Sequence, residues 1–170
     1  MARYDILGKN AEKKEGQKMD IRESTVRTAE AIRLWTAIWE ESVRASHHFL
    51  GEEEIIGLRG YAAQALQDIP HLAAAYTKEG DTAGYIGIAG ERIELLFIKP
   101  AYFRQRVGTA LVEYARETFA VKEVCVNEQN PQAAAFYRAM GFHVYKRTDT
   151  DELGLPYPLL YMSCRGDEEN

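Results

Sequence analysis

Between Leu72 and Phe119 the chain changes its hydrophobic period once, and that change restricts the fold more than any other feature. Residues 72–77, 83–89 and 93–98 are short apolar segments, separated first by Lys78, Glu79, Gly80 and Asp81, then by Gly90 and Glu91. Apolar runs punctuated in this way make an antiparallel meander with tight turns. Val107, Ala110, Leu111, Tyr114, Ala115, Thr118 and Phe119 then recur at helical spacing and form the clearest amphipathic helix in the chain.

The flanks extend this pattern. A short strand at roughly 19–22 precedes Ser24 and Thr25, which are suited to cap a helix. The helix that follows carries Ala31, Leu34, Trp35 and Ile38 on one face. Gly51 and the carboxylates of Glu52, Glu53 and Glu54 open a second helix, which fades before Pro70. After the 107–119 helix, residues 123–126 read as a strand. Asn130 and Pro131 mark a sharp helix start, and Gly141 ends that helix as a left-handed cap. Residues 142–146 and 159–163 read as two closing strands around an irregular loop. The order β-α-α-β-β-β-α-β-α-β-β predicts an α/β fold with helices on both faces of a mixed sheet. Residues 1–18 read as a loose polar extension, 19–166 as the folded domain and 167–170 as an acidic tail.

A length of 170 residues fits one domain with a sizeable core. The 21 basic side chains against 26 acidic ones, net −5, disfavour nucleic acid as the main partner, because duplex binding rests on neutralising phosphates. A cationic amine suits such a surface better. Cys125 and Cys164 make no disulfide framework and lack metal-ligand spacing, so no metal is expected. Cys125, between Val124 and Val126, reads as a small buried hydrophobe. No apolar run approaches the roughly 20 residues of a membrane span, and no signal-peptide pattern is present, so a cytoplasmic protein without a membrane partner is expected.

Chemistry concentrates in residues 94–111, read as a strand, a short loop and a helix start. Free backbone N–H groups at a helix N-terminus beside Gly108 make a ready anion site, and Arg104 and Arg106 add guanidinium donors for phosphate oxygens. The residues alone leave two readings open: a pyrophosphate site, or a connection whose arginines are merely solvated.

This stretch resembles the coenzyme A-binding motif of the GNAT superfamily of N-acetyltransferases, Gln/Arg-x-x-Gly-x-Gly/Ala. With Gly108 on the last glycine, Phe103 stands where Gln or Arg is usual and Arg106 where the first glycine belongs. Arg106 fits that position if its φ is negative and its side chain turns outward or onto the 3′-phosphate. Asn130, Ala133, Phe136, Tyr137, Gly141 and Phe142 occupy every named position of the superfamily's next motif, Asn-x-x-Ala-x-x-Phe-Tyr-x-x-x-Gly-Phe. Residues 42–50, 126–130 and 156–160 resemble a bacterial subgroup of uncharacterised acetyltransferases, and the similarity covers about residues 19–165.

The resemblance implies a central, mostly antiparallel sheet of six to seven strands flanked by about four helices. It implies acetyl-CoA as cosubstrate and direct attack by a primary amine, with a non-catalytic acyl-CoA-binding sensor as the alternative. Arg104, Gln105, Arg106, Val107, Gly108 and Thr109 would hold the pyrophosphate, and the backbone of Leu96, Phe97 and Ile98 the pantetheine arm. Asn130 and Ala133 would complete the cofactor site, although capping before proline also accounts for the asparagine. Tyr137 would be the general acid, although it shares a stripe with Ala133, Phe136 and Met140 that also reads as core. For the general base the candidates are His47, at the end of the first helix, and Glu94, at the start of the cofactor-side strand. Tyr157 would line the acceptor pocket, and Asp149, Asp151 and Glu152 would either attract a cationic amine or form a solvated turn. The late strands leave edges in need of cover, which a homodimer would supply.

Overall fold

A computed structural model describes residues 18–164. Its strands are β1 (Asp20–Glu23), β2 (His71–Tyr76), β3 (Thr82–Ala89), β4 (Arg92–Ile98), β5 (Glu123–Asn127), β6 (His143–Thr148) and β7 (Leu159–Ser163). They form one seven-stranded sheet in the order β1-β2-β3-β4-β5-β7-β6. Every neighbouring pair is antiparallel except β4 and β5. The helices are α1 (Ala29–Ser46), α2 (Glu52–Asp68), α3 (Val107–Phe119) and α4 (Pro131–Ala139), with a 3-10 turn at Pro100–Tyr102. The order, the mixed sheet and the bounds of the 107–119 helix are those read from the sequence. The extension at 1–18, apart from Lys18, and the tail at 167–170 lie outside the described residues.

Helices cover both faces. On one, Leu111, Val112 and Ala115 of α3 and Ala134 of α4 bury Ile86, Ile88, Ile93 and Val124. On the other, Trp35 and Ile38 of α1 and Leu66 of α2 bury Leu72, Ala74 and Tyr85. Being covered twice, β3 is apolar almost without interruption, whereas edge strand β6 exposes most of its residues. Gly84 lets β3 and β4 meet closely, since a Cβ there would lie 2.7 Å from the Phe97 carbonyl oxygen.

Three local readings are corrected. Helix α1 begins later than expected: the Thr28 hydroxyl, not Ser24 or Thr25, caps it by accepting the Ala31 N–H at 3.1 Å. The preceding connector is held elsewhere, with Arg27 donating to the Leu66 and Ile69 carbonyls at the end of α2, at 3.1 and 3.2 Å. The buried stripe of α1 is accordingly Trp35, Ile38, Trp39, Ser42 and Val43, with Leu34 exposed. Cys125 is half-buried rather than buried, and partial burial pushes its thiol up to about 11.

The feature that positions the site is an irregularity in β4. Leu95 faces Gly87 and Ile93 faces Ile88 across the β3 ladder, so Glu94 is an extra residue, a β-bulge. Strands β4 and β5 pair only at Arg92 with Glu123 and Ile93 with Val124. Beyond the bulge the two parallel strands diverge, and the edge of β4 that faces β5 has no strand partner among the described residues.

Candidate active site

A cleft of about 600 Å³ occupies this divergence. It is lined by Leu96 and Ile98 of β4, by the loop and first turn of α3, by Asn130, Ala133, Phe136 and Tyr137, and by Ser42, Ala45 and Ser46 of α1. Backbone direction follows from one bond: the Lys99 N–H donates to the Ala83 carbonyl at 2.8 Å, towards β3. Peptide groups alternate along a strand, so the N–H groups of Leu96 and Ile98 turn to the open edge and that of Phe97 does not. Phe97 also sends its ring to the other face, 5.9 Å from Tyr85. Of the three expected residues, only Leu96 and Ile98 therefore face the cleft.

The opposite wall begins at α3. Arg104 has φ +59° and Arg106 φ +63°. The condition of a negative φ at Arg106 is not met: the residue adopts the left-handed conformation open to glycine, at a cost of about 1–2 kcal/mol. The backbone path into α3 thus survives without that glycine, and both arginine side chains remain on the cleft. Val107, Gly108 and Thr109 line it too, while exposed Gln105 donates to the Ala101 carbonyl at 3.0 Å and stabilises the turn. At Gly108 a Cβ would sit 3.4 Å from the Phe136 ring, where the starts of α3 and α4 converge.

Asn130 is buried, and its Oδ1 accepts the Ala133 N–H at 3.2 Å. Capping uses one end of the amide only, so the amide nitrogen stays available to the cleft, and the two readings of this residue are compatible. Tyr137 is 5% exposed, with its ring 5.6 Å from Phe142 and 5.0 Å from Phe136. It belongs at once to the core and to the cleft wall. Burial pushes its phenol well above the ordinary value, so it stays protonated at neutral pH.

Neither expected base lines the cleft itself; Ser46, beside His47, does. The Ser46 hydroxyl donates to the Ser42 carbonyl at 2.7 Å, and His47 Nδ1 lies 2.8 Å from the Ser46 oxygen. With its only hydrogen committed, that hydroxyl can serve only as acceptor for His47. His47 therefore carries its hydrogen on Nδ1 and presents Nε2 as the basic nitrogen. Burial, aided by His48, lowers its pKa to about 4, so the ring is neutral. Glu94, the bulge residue, lies 3.2 Å from Arg92 Nε, and Arg92 also pairs with Glu152 at 2.7 Å. Burial raises the Glu94 carboxyl, with Arg92 opposing.

The acidic residues of the loop between β6 and β7 are occupied. Asp149 pairs with Arg147 at 2.6 Å, Asp151 accepts the Leu153 and Leu155 N–H groups at 2.9 and 2.8 Å, and Glu152 holds Arg92. From the same loop, the Tyr157 hydroxyl donates to Glu54 Oε1 at 3.3 Å. The small residues Ser42, Ala45 and Ser46 were not read as site residues, although their i, i+3, i+4 spacing places them on one face at the helix end. Among the described residues no cluster of His, Cys, Asp or Glu has the makings of a metal site.

Residues 45–144 match the family model described as an acetyltransferase (GNAT) domain. The chain belongs to the GNAT acetyltransferase family. It is 40% identical over 124 residues to the peptidyl-lysine N-acetyltransferase YjaB of Salmonella typhimurium, a match covering 73% of this chain and 85% of that protein. The Escherichia coli protein of the same name is 38% identical over 130 residues, covering 76% of this chain and 88% of that protein. The solution structure of apo YjaB from Escherichia coli superposes with a TM-score of 0.78 at 36% identity, over 88% of this chain and 99% of that one. The structure of yncA from Salmonella typhimurium with acetyl-CoA shares the fold, with a TM-score of 0.59 at 14% identity over 90% of this chain and 98% of that one. In this GNAT acetyltransferase Arg106, at the position of the motif's first glycine, and Arg104 two residues before it both adopt left-handed conformation ahead of α3.

Proposed function

We propose that this GNAT acetyltransferase moves the acetyl group of acetyl-CoA to the side-chain amine of a lysine in a peptide or protein. The observation that carries the reading is the cleft between the diverging β4 and β5, lined by a helix start with two arginines and by the C-terminal residues Ser42, Ala45 and Ser46 of α1. A long thioester ending in phosphates fits that shape. Its pyrophosphate lies on the first turn of α3 beside Arg104 and Arg106, and its pantetheine amides pair with Leu96 and Ile98 as an added strand. The lysine acceptor is supported by relatives 38% and 40% identical that carry the name peptidyl-lysine N-acetyltransferase.

Acetyl-CoA supplies the activated acyl group, and the chain's own residues do the rest. A backbone N–H on the open edge of β4 polarises the thioester carbonyl and receives the developing charge. Tyr137, protonated, donates to the departing thiolate, whose basicity the same dry cleft raises. His47 Nε2 takes up the amine proton, and magnitudes decide when. Its pKa of about 4 lies roughly 6 units below the ordinary 10.4 of a lysine, a gap of about 9 kcal/mol. His47 therefore cannot strip the free ammonium. It suits the nitrogen after bonding to the carbonyl carbon, when that nitrogen is far more acidic. The amine enters neutral, and turnover rises with pH as the free amine becomes more abundant.

Acetylation of a lysine peptide, followed by release of free thiol, tests the reading. Tyr137→Phe is expected to lower kcat on the order of a hundredfold while leaving the Kd for acetyl-CoA unchanged. A variant that turns over normally removes Tyr137 from the role. A wild-type protein that binds acetyl-CoA but acetylates no lysine peptide replaces the enzyme reading with that of an acyl-CoA-binding module.

A further inference from the structure

Helix α1 carries three hydroxyls, those of Thr36, Ser42 and Ser46. Two of them bond back along the helix: Thr36 donates to the Ile32 carbonyl and Ser46 to the Ser42 carbonyl, each at 2.7 Å. Bonding to the carbonyl four residues earlier is the ordinary use of a hydroxyl inside a helix. Ser42 departs from it. This residue is only 6% exposed, lines the cleft, and its hydroxyl has no hydrogen-bond partner among the described residues. A hydroxyl so far removed from water is costly to the fold unless a ligand meets it. Its place follows from what α1 packs on. The Phe97 side chain packs against the cluster of Trp39, Val43 and Ile55, so the turn of α1 from Trp39 to Val43 lies over the part of β4 that Leu96 and Ile98 flank. Ser42 belongs to that turn, and it shares the cleft with Leu96 and Ile98, whose N–H groups face the same opening. Ser46 and His47 follow one turn further on.

We propose that Ser42 is a catalytic residue whose hydroxyl donates to the thioester carbonyl oxygen, as a second donor beside the backbone N–H of β4. The proposal rests on the acetyl-transfer reading given above. As the amine nitrogen bonds to the carbonyl carbon, the π pair of the C=O moves onto oxygen, and the hydroxyl takes up part of that charge through its hydrogen bond. The pair returns when the C–S bond breaks and the Tyr137 proton goes to sulfur. Ser42 keeps its own proton throughout. Its backbone is fixed within a helix, so only the hydroxyl has to turn, and little reorganisation accompanies the reaction. As a neutral donor it suits a cleft whose acid, Tyr137, and base, His47, are neutral as well. Ser46 cannot take the same part, because its hydrogen is committed to the Ser42 carbonyl.

The experiment uses the full chain and acetyl-CoA isotope-labelled at the thioester carbonyl. Wild type and Ser42→Ala are compared by steady-state acetylation of a lysine peptide and by the carbonyl stretch of bound acetyl-CoA in difference infrared spectra. In wild type the band is expected below its position in free acetyl-CoA. In Ser42→Ala it is expected to move back towards that position, with kcat lowered about a hundredfold. The Kd for CoA, which lacks the carbonyl, is expected to stay unchanged. Alanine is the better helix former and no bond within the chain is lost, so the variant is expected to melt no lower than wild type. Ser42→Cys, which keeps the size and a weak donor, is expected to fall between the two in both readouts. An unchanged kcat or an unmoved band in Ser42→Ala overturns the proposal and leaves the enzyme reading intact. A band that depends on Ser42 in a protein that acetylates no lysine peptide upholds the contact and removes the lysine reading. A wild-type protein that does not bind acetyl-CoA overturns both.

Discussion

Burial acts on Tyr137 and His47 in the same way and leaves each in the neutral form its proposed role requires. The phenol keeps its proton because its charged form is disfavoured, and the imidazole lacks one for the same reason. For His47 this is also a statement about stability. Its pKa is about 4 in the fold against an ordinary 6.5, so between those values the unfolded chain binds a proton that the folded chain refuses. Stability supplied by neutral His47 is complete above about pH 6.5 and is lost as pH falls towards 4, on the order of 1–2 kcal/mol after allowance for partial exposure. Denaturant unfolding at pH 7 and pH 4.5 checks this: wild type should lose more stability than His47→Gln, and parallel losses would sink the assignment. Tyr137 was legible in the sequence through its motif. The hydrogen bonds from His47 to Ser46 and from Ser46 to the Ser42 carbonyl were not, because serines in the last turn of a helix resemble ordinary filler until their partners are seen.

At the scale of elements, the periods of the chain were sufficient for the order of strands and helices and for both bounds of α3, where an unbroken stripe leaves no ambiguity. They failed at the start of α1. Ser24, Thr25 and Thr28 all have capping side chains, and the choice fell to Arg27, which reaches carbonyls of α2 that lie close only in the folded molecule. Strand alternation failed at Glu94 for a related reason, since a bulge adds one residue and exchanges the faces of everything beyond it. The loop before α3 yields a prediction with two opposed signs. Arg106→Gly removes left-handed strain but adds freedom to the unfolded chain, a net gain of about 0.5–1 kcal/mol, or a few degrees in Tm. The same change removes a guanidinium from the proposed phosphate site and should weaken acetyl-CoA several-fold. Thermal melting and calorimetry on one variant read both; a fall in stability would show that the conformation carries no strain.

For the whole molecule, the cleft exists because β4 and β5 pair at only two positions and diverge beyond the bulge at Glu94. A ligand that spans it ties β4, α3 and α4 together and should stabilise the fold as a unit. At a hundred times its Kd, acetyl-CoA is expected to add about 2.7 kcal/mol and raise Tm by roughly 5–10 °C. A melting curve indifferent to acetyl-CoA would mean that the cleft does not take it. By itself the sequence determined the class of fold and the family, and it pointed to the start of α3 and to Tyr137, both of which line the cleft, because these depend on local periods, caps and a motif within short stretches of chain. Only the tertiary structure decided that β7 enters between β5 and β6, that Leu96 and Ile98 but not Phe97 face the opening, and that His47, Phe49, Tyr157 and Glu54 meet. Those residues belong to segments separated by about a hundred positions, as Tyr157 and Glu54 are, and the packing of the sheet is what brings them into reach.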